Sequence, residues 1–179
     1  MTLNEIIARS LGKLDRGTDA QTMDTYRDKF TAFANIAVQK IADHYQPQRT
    51  EKVELDGHSF NLGMLSHGCQ RIVSVAQGGK PVSFDMSDTG VFAVNATGAV
   101  DVSYIFYPKE LSSTTDVPEI PTFSHWLIPE YVVARERAGG DASTQNTAAV
   151  YYQEFNTGIV ALPRSSHGDP KSYRFRNQW

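Results

Sequence analysis

The chain has 179 residues, 40% hydrophobic and 21% charged, with a formal net charge of −3. That length and balance describe an ordinary soluble globular protein, one domain or a domain with a sizeable insertion, and no apolar run approaches the ~18 residues of a membrane span. Cys69 is the only cysteine, which excludes an intramolecular disulfide and a thiolate metal cluster within one chain.

Residues 2–15 read as a first helix: Leu3, Ile6, Ile7, Leu11 and Leu14 share a face, and Thr2 with Glu5 has capping-box spacing. This amphipathic start has no signal-peptide core, so action without secretion is expected. The stretch Thr22 to Tyr45 predicts the main helix, with Tyr26, Phe30, Phe33, Ala37 and Ile41 on one stripe and Ala34, Val38 and Tyr45 widening it. Thr22 or Asp24 is expected to cap it, and Pro47 to stop it.

After Pro47 the period changes to two. Residues 51–55 and 58–62 read as strands on an Asp56-Gly57 turn. Residues 71–77 and 80–86 follow on Gly78-Gly79, and 91–94 and 99–107 are split at 95–98. Six strands with three hairpin signals predict a small antiparallel sandwich or barrel. The Pro-containing stretch 108–121 is the expected link out of the sheet. Helical spacing returns at Leu127, Tyr131, Ala134 and Ala138, with Pro129 expected to bend or restart the helix. A last helix runs from about Thr144, striped by Ala148, Tyr151, Tyr152, Phe155, Ile159 and Leu162. The predicted class is α+β: a four-helix framework from 1–47 and 122–162, an inserted β domain with linker at 48–121, and an extended C-terminal arm at 163–179.

No phosphate-binding glycine loop, HExxH, G-x-S-x-G or dinucleotide fingerprint is present, so the sequence implies no cofactor and no metal. His44, His58, His67, His125 and His167 fall in five elements without metal-ligand spacing and read as structural or surface residues. Asp85, Asp88, Asp101 and Glu110 would form an acid–base pair only if the sheet gathered them. Cys69 reads as a small buried hydrophobe.

The C-terminal arm is the most informative polar feature. Residues 163–179 carry Arg164, Lys171, Arg174 and Arg176 against Asp169, a net +3 that leaves −6 for residues 1–162. Tyr173, Phe175 and Trp179 alternate with Arg174 and Arg176. That pattern suits a strand or arm docked on another protein, a nucleic-acid contact, or a solvated tail.

The short N-terminal helices, the β segment ending V-D-V-S-Y-I-F-Y-P, the linker D-V-P-E-I-P followed by F-S-H-W-L, and the closing helix rich in Ala, Tyr and Phe together resemble the head-to-tail adaptor (head-completion or tail-connector) proteins of tailed bacteriophages. The resemblance implies a non-enzymatic virion protein at the neck, assembled in the host cytoplasm. It would be monomeric when free and ring-forming, usually as a dodecamer, on the portal protein. It would contact a tail or nozzle protein and let DNA pass without specific binding. By position it assigns portal docking to Tyr173, Arg174, Phe175, Arg176 and Trp179, and subunit or core packing to Phe30, Phe33, Tyr151 and Phe155. The rival readings are a β-domain module that binds a ligand such as a glycan through Tyr104, Phe106 and Phe84, and a small hydrolase using Asp and His of the insertion.

Overall fold

A computed structural model describes residues 1–86 and 91–163. The fold is α+β, and the chain divides into two units: residues 1–45 with 108–163, and residues 46–107. The predicted C-terminal arm lies outside the described residues.

The helical unit contains α1 (Leu3–Lys13), α2 (Ala20–Tyr45), α3 (Leu127–Arg137) and α4 (Ala142–Ala161). Its core joins Leu3, Ile6, Ile7 and Leu11 of α1 to Phe30, Ala34, Ala37, Val38 and Ile41 of α2, Leu127, Ile128 and Val132 of α3 and Phe155 of α4. Burial of each large side chain is worth about 1.5–3 kcal/mol, which is what commits the four amphipathic faces to one another. Thr2 caps α1 through a complete capping box with Glu5. The cap of α2 corrects the sequence expectation. Asp19, not Thr22 or Asp24, takes the role: it accepts from Thr22 N at 3.0 Å and from the Thr22 hydroxyl at 2.7 Å, and the helix begins two residues early. Pro129 neither bends nor restarts α3. It sits in the first turn, where its missing N–H has no helical acceptor to lose.

The linker is also placed differently. Residues 108–121 belong to the helical unit and not to the β insertion. The reason is hydrogen bonding: the first amides of α1 have no intrahelical acceptors, and Asp116 O and Thr114 O take them from Leu3 N at 2.8 Å and Asn4 N at 3.0 Å. Further along, the Asn35 side chain accepts from Leu111 N at 2.8 Å and donates to Leu111 O at 3.1 Å, copying one rung of a sheet ladder on the side of α2.

The second unit holds seven strands: β1 (Gln48–Glu54), β2 (Ser59–Asn61), β3 (Cys69–Gln77), β4 (Lys80–Val82), β5 (Phe84–Met86), β6 (Val91–Val94) and β7 (Ala99–Phe106). They form two antiparallel sheets, ordered β1-β7-β3-β4 and β2-β6-β5. Phe60 and Phe92 of the smaller sheet stack at 5.1 Å and share one core with Val75, Val100, Val102 and Tyr104 of the larger, so the arrangement is a sandwich.

Only one of the three hairpin signals makes a hairpin. Gly78-Gly79, both at positive φ, join β3 to β4. Asp56-Gly57 is a tight turn, with Asp56 N bonded to Ser59 O at 2.8 Å, but it carries the chain from one sheet to the other, since β1 pairs with β7 and β2 with β6. The 95–98 turn likewise leads from β6 into the other sheet. The predicted strand 80–86 is broken at Ser83, because β4 pairs with β3 while β5 pairs with β6.

Candidate functional site

On β1, Arg49, Glu51 and Val53 share a face, and two of these three are polar where the core would take apolar residues. Opposite them stand Tyr104 and Val102 of β7. Loop residues Ser66 and His67 close over this corner. Glu51 Oε1 accepts from the Tyr104 hydroxyl at 2.7 Å and forms a short hydrogen bond with the Ser66 hydroxyl, and Glu51 Oε2 accepts from Ser66 N at 2.9 Å. Desolvation pushes the Glu51 carboxyl up, but the Ser66 and Tyr104 hydrogen bonds and the Arg49 charge outweigh it and hold the group at about 2. Burial, then the bond to Glu51, raises Tyr104 to about 12.

Ser66 Oγ and Arg49 Nη1 each lie 2.7 Å from His67 Nδ1, and His67 stands edge-on to Phe106 at 5.1 Å. A guanidinium only donates, so the His67 Nδ1 facing Arg49 presents its lone pair. The Ser66 proton has one place to go, and the ionised Glu51 takes it. A nucleophilic serine needs a base with pKa near the working pH, oriented by a third group. Here the carboxylate bonds the hydroxyl directly and is too weak a base. The cluster pins the 62–68 loop to the sheet. Polar residues on the inward positions of β1 were its one sequence signal.

The other candidate groups are scattered. Asp85 is on β5 and Asp101 on β7, in different sheets; Glu110 is in the helical unit; Asp88 and His167 lie outside the described residues. His58 Nδ1 is 2.9 Å from Ala96 O, and His44 ends α2. His125 is buried, with Nε2 3.0 Å from Ile120 O and Nδ1 2.9 Å from the Met1 amino group, and desolvation lowers its pKa first. Burial raises the Cys69 thiol. Among the described residues, no group of three or more His, Cys, Asp or Glu side chains is placed to hold a metal ion.

Tyr173, Arg174, Phe175, Arg176 and Trp179 lie outside the described residues. Phe30 and Phe155 are fully enclosed in the helical core, so of the two packing roles theirs is within the chain. Phe33 and Tyr151 are half-buried under cations, Arg135 lying 5.3 Å from the Phe33 ring and Arg137 5.8 Å from that of Tyr151. The large exposed apolar residues of the helical unit are instead Ile36, Val117, Phe123, Trp126, Val150 and Val160, the last 76% exposed. Ile36 is legible in the sequence because it falls outside the apolar stripe of α2; the others carry no periodicity that marks them. No helix among the described residues is long and apolar enough to cross a membrane. Compared with known proteins, the chain matches no protein-family model and no curated sequence.

Proposed function

We propose that the protein is a structural connector of a tailed bacteriophage neck, a ring-forming adaptor that joins the portal to the tail and continues the DNA channel without chemistry of its own. The observation that carries this reading is the woven scaffold. The segment most specific to the adaptor resemblance, Asp116 to Leu127, closes the N-terminus of α1 through its backbone carbonyl, buries Ile120 in the core and opens α3, while residues 46–107 leave as a separate unit. A body built this way presents its exposed apolar side chains to a neighbouring copy, and a head-to-tail contact closes into a ring when its rotation divides a circle. The glycan-binding alternative loses its platform, because Tyr104 and Phe106 are buried and Phe84 packs on the sandwich core.

Native mass spectrometry of the chain with its candidate portal tests the reading. A ring of defined stoichiometry on the portal is expected, and Val150→Asp with Val160→Asp abolishes it without unfolding the protein, since both side chains are exposed. A portal mixture in which the chain stays monomeric sinks the proposal.

A further inference from the structure

Arg16, Lys29 and Arg137 are far apart in sequence, yet together with Glu136 they line one pocket of about 350 Å³ in the helical unit. Arg16 follows α1, Lys29 rises from the middle of α2, and Glu136 and Arg137 end α3. Glu136 is the single carboxylate for three cations: Arg16 Nη1 is 2.9 Å from Oε1 and Lys29 Nζ 2.7 Å from Oε2. Its side chain is only 10% exposed. Burial raises its pKa, but hydrogen bonds and charge from Lys29 and Arg16 more than offset this and keep it ionised.

Arg137 is left short. Its Nη2 is 3.4 Å from Lys13 O, and its Nε is buried with no hydrogen-bond acceptor among the described residues. A buried donor without an acceptor costs free energy, and among the described residues the Arg137 guanidinium forms no ion pair that would neutralise its charge at the pocket. The nearby rings, Tyr26 at 4.4 Å from the Arg16 guanidinium and Tyr151 at 5.8 Å from that of Arg137, attract the cations but carry no formal charge. Asp141 is spent on capping α4, accepting from Thr144 N at 2.9 Å, and does not line the pocket. The lining therefore keeps a surplus of two positive charges, in a unit whose described residues hold thirteen carboxylates against nine lysines and arginines. Carbonyl ends of α1 and α3 account for cations such as Lys13 and Arg137, but not for Lys29.

We propose that this pocket binds a phosphate group, either free or as a phosphodiester of nucleic acid. A tetrahedral oxyanion offers several acceptor oxygens to two planar forks and one ammonium, and its charge matches the surplus better than a single carboxylate does. The inference stands apart from the assembly reading and survives its failure.

Calorimetric titration of the full chain with inorganic phosphate at low salt tests it. Saturable binding is expected, weakened about tenfold by Lys29→Gln or Arg137→Gln and strengthened by Glu136→Gln, which removes the competing carboxylate. These opposite signs are what a merely structural ion cluster would not produce. Lys29 is 55% exposed, so its variant folds whatever Glu136→Gln does. A fluorescent oligonucleotide that binds and is displaced by phosphate identifies nucleic acid as the source, and phosphate binding with no oligonucleotide binding identifies the free ion. Absence of saturable binding of either probe, or a Lys29→Gln protein that binds like wild type, overturns the proposal.

Discussion

A methyl group at Gly158 of α4 would lie 2.2 Å from Leu127 Cδ2 and 3.1 Å from Trp126 Cη2. Leu127 is fully buried and has nowhere to go. Gly158→Ala gains about 1 kcal/mol in helix propensity but overpacks the α3–α4 contact by about 1–3 kcal/mol, so a lower thermal midpoint by circular dichroism is expected. Glu51 gives the second residue-scale test. Its folded pKa, about 2, lies below the unfolded one, so its contribution is fully present above the unfolded value and is lost as pH falls toward the folded one. With screening at this partly open site the effect is about 1–2 kcal/mol. Urea midpoints of wild type and Glu51→Gln should differ at pH 7 and converge at pH 2. Parallel curves would mean that Glu51 is not the group responsible.

At the scale of elements, α2 depends on its cap more than on its surface ion pair. Asp19→Ala removes two acceptors from the first turn and lowers the midpoint of the helical unit by a few degrees. Asp24→Ala breaks only the exposed Asp24–Arg27 pair and leaves it nearly unchanged. Helices were legible in the sequence because their evidence is local: Phe30, Ala37 and Ile41 recur at helical spacing and are buried. The cap is not legible there, because Asp19, Thr22 and Asp24 are all residue types that suit an N-terminus and geometry decides among them. Strands were legible as segments, but Asp56-Gly57 fits a hairpin and a sheet-to-sheet corner equally well. Pairing partners 45 to 57 residues away decide between them.

At the scale of the whole molecule, residues 108–121 make the helical unit independent of the insertion. Asn35 grips Leu111, and Tyr45 ends α2 ten residues further on, about 15 Å away. A flexible linker of about ten residues spans roughly 17 Å, so replacing 46–107 by such a linker should leave a cooperatively folding helical protein. Truncation of Pro163 to Trp179 should leave both units folded, and on the proposed connector reading it removes portal binding; undiminished binding by the truncated chain would reassign the docking surface. The candidate sites were far less legible than the fold. Arg16, Lys29 and Arg137 gather only when three helices pack, and Glu51 meets Tyr104 only across paired strands and Ser66 only once the 62–68 loop folds over them.

The amino-acid order by itself determined which segments are helical or extended, because apolar periodicity, caps and prolines act over a few neighbouring residues. Tertiary structure alone decided which strands pair, which unit holds the linker and where charges converge. Those outcomes depend on burying surface and satisfying hydrogen bonds between groups distant in the chain, and no short stretch records them.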